Sequence, residues 1–192
     1  MDEVERGRLA AYVRDEDRAR FLLGCTMVRR LVAERFSLPA ANVRLDRTCP
    51  DCGKPHGRVR AEGVELSVTH SGDLVGVAIG DHPVGLDVEK INPDLDIDGV
   101  ARMSLSPEEL NELERYDGID KARRFTQYWT RKEAVVKATG DGLRTDLRTV
   151  TLPAGIHLSE LSVDPGYAAA LAVVTAAPPA VQVFSFGSDP RR

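Results

Sequence analysis

The sequence predicts an α+β fold built from two halves that meet near residue 83. The predicted elements follow the order helix, strands, helices, strands, and segregated runs of this kind are typical of α+β proteins. The strands near residue 83 are joined by very short connections, which favours antiparallel pairing because parallel strands need long crossovers. We therefore expect halves at residues 1–83 and 84–192. No sequence repeat relates them, and they need not fold independently.

The N-terminal half begins with a predicted long helix and continues into an irregular loop. Apolar residues recur at helical spacing over residues 15–36, and Asp15 stands where an N-cap is expected. Cys25 belongs to this apolar stripe and is interpreted as a small core residue. Pro39 ends the helix, and residues 46–63, which are rich in Cys, Pro and Gly, are interpreted as a surface loop.

Strands are predicted from short apolar runs that are bounded by turn residues. The turns 71–73 and 81–83 are so short that the three strands around them are expected to form an antiparallel meander. The strands are expected at about residues 43–45, 64–69, 74–80, 84–89, 148–152, 167–175 and 180–185. We expect the tail 187–192 to be frayed.

Two helices are predicted between these groups of strands. Residues 106–109, Ser-Pro-Glu-Glu, combine an N-cap serine, a proline at the first helical position and the glutamate of a capping box. Asp117-Gly118 interrupts this helix, and a longer helix follows at about residues 120–139. Gly140 is placed to end the longer helix, since glycine readily adopts the left-handed conformation that closes helices.

Composition excludes several classes of protein. Apolar residues make up 42% and charged residues 29% of the chain, as in soluble globular proteins. The formal net charge of −4 provides no general basic field for nucleic acid. No apolar run approaches the ~20 residues of a membrane span. The acidic residues 1–5 lack a signal core, so we expect a cytoplasmic protein.

Two charged segments, one on a predicted strand and one on a predicted helix, carry chemistry. Asp87 and Glu89 alternate with apolar residues after Gly85, so a strand places both carboxylates on one face. Glu133 and Lys137 are four residues apart on the longer helix and also share a face. If strand and helix meet, the converging carboxylates suit Mg²⁺, which commonly accompanies phosphates. If they do not, these residues are the solvated face of a sheet and an exposed ion pair.

These segments resemble the two signature motifs of the Sfp-type 4′-phosphopantetheinyl transferases. The first is Gly85-x-Asp87-x-Glu89, and the second is Trp129-Thr130-x-Lys132-Glu133-Ala134-x-x-Lys137, in the family's order and spacing. Residues 67–71, Ser-Val-Thr-His-Ser, resemble the family's serine-histidine-serine strand end, with Thr69 in place of a serine. Residues 15–21 resemble the start of its N-terminal helix, and the resemblance covers about residues 12–175.

The resemblance implies a fold, a reaction and a set of roles. The fold is a pseudo-dimer of two similar α/β halves with antiparallel sheets and a ligand cleft between them. The reaction transfers the 4′-phosphopantetheine arm of coenzyme A to a serine of an apo carrier protein and releases adenosine 3′,5′-bisphosphate. Asp87, Glu89 and Glu133 are implied as Mg²⁺ ligands. Glu133, Lys137 and Asp87 are implied as catalytic residues, with Glu133 the candidate base.

The resemblance also implies contacts with coenzyme A and with the carrier protein. The residues expected to contact coenzyme A are Arg18, Lys54, Arg58, His70, Ser71, Lys132 and Lys137. Arg58 is followed by Val59, where the family often has proline, so this loop departs from the pattern. The cations expected to dock an acidic carrier protein are Lys121, Arg123, Arg124 and Arg131. Each of these residues is otherwise an ordinary surface charge, and we expect the protein to be a monomer.

Cys49-Pro50-Asp51-Cys52, followed by His56, has the spacing of metal ligands. A structural zinc site normally has four ligands, and no second Cys-x-x-Cys pair is present. We therefore favour a solvated loop with reduced thiols, and the odd total of three cysteines argues against a disulfide framework. Two alternatives to the enzyme remain open. They are a catalytically inactive coenzyme A-binding module and a zinc-stabilised interaction domain.

Overall fold

The computed structural model describes residues 1–140, 142 and 145–185. Its helices are α1 (Glu3–Ala11), α2 (Asp15–Phe36), α3 (Ile97–Ser104), α4 (Pro107–Leu113) and α5 (Gly118–Thr139). Its strands are β1 (Glu65–Ser71), β2 (Leu74–Gly80), β3 (Val84–Lys90), β4 (Ile156–Glu160) and β5 (Tyr167–Val174). None of these helices is both long enough and apolar enough to cross a membrane. The tail 187–192, predicted to be frayed, lies outside the described residues.

The long helices α2 and α5 confirm the prediction, with differences at their first residues. α2 spans the predicted residues, but its N-cap is Arg14 and Asp15 is the first helical residue. Asp15 still stabilises the helix there, because a carboxylate in the first turn faces the positive end of the helix dipole. α5 begins at Gly118 and ends before Gly140, whose φ of 81° is left-handed as expected. α4 opens with the predicted capping box.

Three predicted strands are wrong. Residues 43–45 and 180–185 contain no strand, and a 3-10 turn at Leu147–Thr149 replaces the strand predicted at 148–152. The Asp146 side chain accepts a backbone N–H two residues later, and this local bond starts the turn. A β-branched run forms a strand only where a neighbouring strand is available to pair with it.

Two helices, α1 and α3, were not predicted. α1 has no apolar stripe, and an ion pair between Glu5 and Arg29 holds it against α2. Its Glu5 is fully buried and accepts from Arg29 Nε of α2 at 3.2 and 3.0 Å. The capping box formed by Asp2 and Glu5 is the sequence signal that was available for this helix. α3 is capped by Asp96 and buries Ile97, but its eight residues are too few to show a clear period.

Both sheets are antiparallel, which confirms the predicted α+β class. β1 pairs with β2 in one sheet, and β5 lies between β3 and β4 in the other. The first sheet precedes residue 83 in the chain and the second follows it. The predicted meander of three strands is therefore divided, because β3 pairs with β5 rather than with β2.

Small residues let α5 lie very close to the second sheet. Ala134 and Ala138 of α5 pack against Ala170 and Ala172 of β5 in one buried cluster. A Cβ atom on Gly85 would overlap the Ala134 carbonyl oxygen and lie 2.5 Å from the Ala138 nitrogen. Any side chain at position 85 would therefore push the helix away from β3.

Side-chain hydroxyls join β1 to β3. The hydroxyls of Ser67, Thr69 and Ser71 accept the backbone N–H groups of Leu86, Val88 and Lys90 at 2.9, 3.2 and 3.0 Å. Alternate residues of β1 share one face, and the matching order of partners shows that the two strands run in the same direction. This hydroxyl seam holds the two sheets side by side.

Arg58 makes a second connection between the two sheets. Its guanidinium donates to the carbonyl oxygens of Leu66 on β1, Val84 on β3 and Lys137 on α5, with shortest distances of 2.6, 2.8 and 2.5 Å. Burial lowers the pKa of Arg58, and nearby Glu65 opposes that shift. One side chain thus ties together β1, β3 and α5.

Candidate active site

Four charged side chains meet where α5 lies across β3. Lys137 Nζ lies 2.6 Å from Asp87 Oδ1. Asp87 and Glu89 share the face of β3 on which Gly85 touches α5. Glu133, one helical turn before Lys137, interacts electrostatically with Asp87 and Glu89. The structure therefore brings together the predicted metal ligands and Lys137, the lysine predicted to be catalytic. We call these four side chains the carboxylate cluster.

Asp87 lies at the bottom of the carboxylate cluster and is only 3% exposed. Its Oδ1 accepts from Lys137 and, at 3.2 Å, from the Thr69 hydroxyl. Its Oδ2 is buried and has no hydrogen-bond partner among the described residues. Burial raises the pKa of Asp87, and Lys137 opposes this shift. An unpaired buried oxygen costs free energy, so Oδ2 marks a position where a cation or a donor is favoured.

Glu89 and Glu133 are both half-buried. Ser71 donates its hydroxyl proton to Glu89 Oε2 at 2.6 Å. Burial raises the pKa of Glu89, while its hydrogen bond from Ser71 lowers it. Burial also raises the pKa of Glu133, and the neighbouring charge of Asp87 adds to this shift. Both carboxyl groups are therefore stronger bases than an exposed glutamate.

The donor chemistry of the carboxylate cluster fits a hard divalent cation. Burial raises the pKa of all three carboxyl groups, and nearby positive charge relieves that penalty. Lys137 supplies only one positive charge, which leaves negative charge in excess when the carboxylates are ionised. Within the described part of the chain, their oxygens are not all within 4.8 Å of one another. Binding one ion through all three carboxylates therefore requires side-chain rotation.

Ser71 and His70 have different surroundings although they are adjacent on β1. The Ser71 hydroxyl belongs to the hydroxyl seam, and its one proton is donated to Glu89. His70 faces the opposite side of the strand and is exposed. The structure therefore places Ser71 at the carboxylate cluster and leaves the His70 imidazole accessible to a ligand outside it.

Lys132 and Arg58 use their donors elsewhere. Lys132 is almost fully buried, donates to the carbonyl oxygens of Leu147 and Val150 at 2.8 and 3.3 Å, and pairs with Glu109 at 2.8 Å. Successive residues of a helix are rotated by about 100°. Lys132 therefore points away from β3, which Glu133 faces. The guanidinium of Arg58 donates to three carbonyl groups. The structure does not bring either cation to the carboxylate cluster.

Arg18 and Lys54 are exposed, and no described hydrogen bond or ion pair links them with the carboxylate cluster. A neighbouring arginine that was not singled out, Arg20, donates to the Gly72 carbonyl oxygen at 2.6 Å. Its Nη2 also pairs with Asp17 at 2.6 Å. Arg20 thus fixes α2 to the β1–β2 turn beside His70. No spacing rule marks this contact, because it joins residues that are distant in sequence.

An open cleft of about 480 Å³ lies beside the loop that precedes β1. The residues that line it are Cys49, Pro50, Asp51, His56, Arg58, Val59, Arg60, Ala61, Val64, Glu65, Leu66, Gly140 and Gly142. The wall thus combines residues from before position 83 with Gly140 and Gly142, which follow the C-terminal end of α5. The members of the carboxylate cluster are not among these lining residues.

The four cations expected to dock a carrier protein are all paired with carboxylates. Lys121 and Arg123 pair with Asp98 and Asp120 at 2.6 and 2.9 Å. The remaining pairs are Arg124 with Glu112 and Arg131 with Glu160. These carboxylates offset the local positive charge, which the sequence alone did not show.

The two loop cysteines lie close to His56, which their spacing in sequence did not by itself establish. Ligand atoms of Cys49, Cys52 and His56 are all within 4.8 Å of one another. Hydrogen bonds from the backbone N–H groups of Asp51 and Cys52 lower the pKa of Cys49. Cys25 instead lies buried in α2, as predicted, and burial raises its pKa to about 11. This grouping is compatible with metal binding by the loop, whereas the sequence analysis favoured a solvated loop with reduced thiols.

Two family models match adjacent parts of the chain. Residues 83–172 match the 4′-phosphopantetheinyl transferase superfamily, and residues 1–81 match the N-terminal model of 4′-phosphopantetheinyl transferase. The chain therefore belongs to the 4′-phosphopantetheinyl transferase superfamily, as its motifs indicated. Its similarity to the Sfp enzyme of Bacillus subtilis supports the Sfp type within that superfamily.

Several relatives of the chain are named 4′-phosphopantetheinyl transferase. The chain is 32% identical to 4′-phosphopantetheinyl transferase psf-1 of Bacillus pumilus, over 70% of this chain and 56% of that protein. It is 30% identical to 4′-phosphopantetheinyl transferase HetI of Nostoc sp., over 74% and 61%. It is 27% identical to Sfp of Bacillus subtilis, over 85% and 77%. The chain thus spans only about three fifths of the first two relatives.

Proposed function

We propose that this protein transfers the 4′-phosphopantetheine arm of coenzyme A to a serine hydroxyl of an apo carrier protein. The observation that carries the proposal is the convergence of Asp87, Glu89, Glu133 and Lys137, which Gly85 permits by letting α5 touch β3. The reaction breaks the phosphoanhydride bond at the β-phosphate of coenzyme A and forms a phosphodiester with the serine. Adenosine 3′,5′-bisphosphate leaves.

Glu133 is the proposed base for the serine hydroxyl. A neutral hydroxyl is a weak nucleophile and needs a group that accepts its proton. General bases work best when their pKa approaches the working pH, and burial together with Asp87 raises the pKa of Glu133. Glu133 therefore accepts the serine proton, directly or through one water, as the oxygen attacks phosphorus.

Lys137 is the proposed phosphate contact inside the carboxylate cluster. An ammonium has three N–H donors, and Lys137 uses two of them on Asp87 Oδ1 and the Leu86 carbonyl oxygen. The lysine side chain is 30% exposed, so its remaining donor can reach a phosphate oxygen while the pair with Asp87 persists. Its charge offsets the negative charge that develops during the transfer.

Asp87, Glu89 and Glu133 are the proposed Mg²⁺ ligands. The unpaired Oδ2 of Asp87 and the raised pKa values of all three carboxyl groups support this assignment. Bound Mg²⁺ supplies charge neutralisation and orientation of the pyrophosphate. Thr69 and Ser71 hold Asp87 and Glu89 by hydrogen bonds at 3.2 and 2.6 Å, and so restrict the two carboxylates before metal binds.

His70, Arg18 and Lys54 are proposed to contact the nucleotide phosphates from outside the carboxylate cluster. Their exposure supports this, because their polar atoms remain accessible to a ligand. We further propose that segments 1–83 and 84–192 form one transferase unit, monomeric and cytoplasmic, with the ligand held between them. The hydroxyl seam and Arg58, which join the two sheets, support a single unit.

The carrier protein is proposed to dock beside α5. Because each cation of the expected patch is already paired, docking of an acidic helix requires exchange of the partners of Lys121, Arg123, Arg124 and Arg131. Docking through these residues would weaken with added salt. The carrier can belong to fatty-acid, polyketide or non-ribosomal peptide synthesis.

Incubation of the protein with coenzyme A, Mg²⁺ and a panel of apo carrier proteins tests the proposal. The expected result is a gain in carrier mass equal to one phosphopantetheine arm. Binding of coenzyme A without modification of any carrier would favour the alternative, a catalytically inactive coenzyme A-binding module. The presence of all four side chains of the carboxylate cluster argues against that alternative.

A further inference from the structure

We propose that Cys49, Cys52 and His56 form a zinc site that fixes the loop before β1. Among the described residues, they are the one group of three metal-ligating side chains whose ligand atoms all lie within 4.8 Å of one another. Cys52 Sγ lies 3.0 Å from His56 Nε2. Tetrahedral zinc with bonds of about 2.0–2.3 Å places its ligand atoms roughly 3.3–3.8 Å apart. Small side-chain movements therefore convert this grouping into a ligand set.

The ligand types select zinc over the hard cation proposed for the carboxylate cluster. Two thiolates and an imidazole are preferred by Zn²⁺, whereas Mg²⁺ takes oxygen ligands. All three cysteines of the chain are free. Cys25 lies on α2 and does not belong to this group of ligand atoms. The two metal sites are therefore distinct in both position and chemistry.

The backbone of the loop is folded as a ligand turn requires. Gly53 follows the second cysteine with a φ of 71°, which reverses the chain, and its N–H donates to the Cys49 carbonyl oxygen at 2.9 Å. The Cys49 N–H in turn donates to the Lys54 carbonyl oxygen at 2.8 Å. Backbone N–H groups of Asp51 and Cys52 hydrogen-bond the Cys49 thiol. Such outer contacts orient a thiolate ligand.

The site begins at the buried Cys49 and continues into an exposed part of the loop. Cys52 and His56 are exposed, whereas Val59 further along is buried in the core. Cys49 and His56 line the 480 Å³ cleft, so a fourth coordination position is accessible to water, as in zinc sites with three protein ligands. Zinc would hold the chain immediately before Arg58, the residue that ties β1, β3 and α5 together.

Metal analysis of the untagged full chain tests the site. Protein purified without chelators, and washed with excess Mg²⁺ to clear the carboxylate cluster, should contain about one zinc per chain. Loss of an outer contact commonly weakens metal binding about 10- to 100-fold. Removing a ligand costs more, so Cys52→Ser and His56→Ala should each lower zinc affinity by more than about 100-fold in competition with a chromogenic chelator.

Cys25→Ser is the matched control, because it removes a thiol that lies outside the site; zinc content should stay at the wild-type level. Circular dichroism of each variant shows whether it folds, and the exposure of Cys52 and His56 makes loss of the fold unexpected. A wild-type protein that neither contains nor takes up zinc overturns the proposal, as does unchanged zinc affinity in folded Cys52→Ser. Neither readout uses coenzyme A or a carrier, so the result is independent of the proposed transferase.

Discussion

Lys137 on α5 and Asp87 on β3 are 50 positions apart in sequence, yet Nζ lies 2.6 Å from Oδ1. The pair forms because a glycine two residues before Asp87 removes the side chain that would keep α5 away from β3. Breaking a buried pair by deleting one partner leaves the other uncompensated. The contact therefore couples the packing of the fold to the electrostatics of the carboxylate cluster.

Gly85→Ala should both destabilise the protein and remove transfer activity. The added Cβ would overlap the Ala134 carbonyl oxygen, and overpacking of this kind costs about 1–3 kcal/mol. Thermal unfolding and transfer kinetics measure the two effects. Gly80→Ala in β2 is the control, because its Cβ meets nothing nearer than the His82 carbonyl oxygen at 4.0 Å. Equal behaviour of the two variants would contradict the packing argument.

Arg58→Lys should lower stability by about 2 kcal/mol, because one ammonium cannot reproduce the hydrogen bonds that the guanidinium makes to three carbonyl groups. The free energy of unfolding in urea measures this. Arg60→Lys, two residues further on and exposed, should change stability little. If Arg58→Lys were as stable as wild type but bound coenzyme A weakly, the residue would be a ligand contact rather than a tie between the sheets.

Mg²⁺ should raise the melting temperature of wild type more than that of Glu133→Gln. In the metal-free protein burial raises the pKa of Glu133, so folding favours its protonated form. That contribution to stability is present below the ordinary glutamate pKa and is lost as pH rises through the raised value. Over this window the metal-free Glu133→Gln variant should gain stability relative to wild type. A stability difference between wild type and Glu133→Gln that stays constant across this pH window would contradict the raised pKa of Glu133. Equal rises in melting temperature with Mg²⁺ would contradict its role as a metal ligand.

Glu133→Gln and Lys137→Ala should separate proton transfer from phosphate binding. Glu133→Gln keeps the shape but removes the base, so turnover should fall by about 10²-fold or more while coenzyme A affinity falls less. Lys137→Ala should weaken both, since its ammonium faces phosphate in the ground state as well as the transition state. Steady-state kinetics and calorimetry with coenzyme A check these outcomes. Wild-type turnover by Glu133→Gln would refute its role as base.

The spacing of apolar and charged residues predicted β3 and α5, the two elements that carry the carboxylate cluster. The alternation at Asp87 and Glu89 and the four-residue spacing of Glu133 and Lys137 were enough to place each pair on one face. The approach of α5 to β3 depends on alanines of β5, which no local pattern links to position 85. This tertiary packing could only be seen in the structure.

Hydrogen-bond and charge partners that are distant in sequence account for the contacts that the sequence analysis did not predict. Lys132 and Arg58 carry the chemistry of a phosphate contact, but carbonyl groups far along the chain use their donors. α1 was missed because Arg29 and the buried Glu5 hold it, rather than an apolar stripe. The strand expected at 148–152 does not form, because residues 147–149 adopt a 3-10 turn instead of pairing with another strand.

The most direct test of the account is the intact mass of an apo carrier protein after incubation with coenzyme A, Mg²⁺ and this protein. Asp87→Ala serves as the matched variant, with its fold checked by circular dichroism, and a carrier whose acceptor serine is replaced by alanine serves as the substrate control. The carrier should gain one phosphopantetheine arm with wild type and none with Asp87→Ala, and the alanine carrier should gain none. Full modification by folded Asp87→Ala would contradict this account.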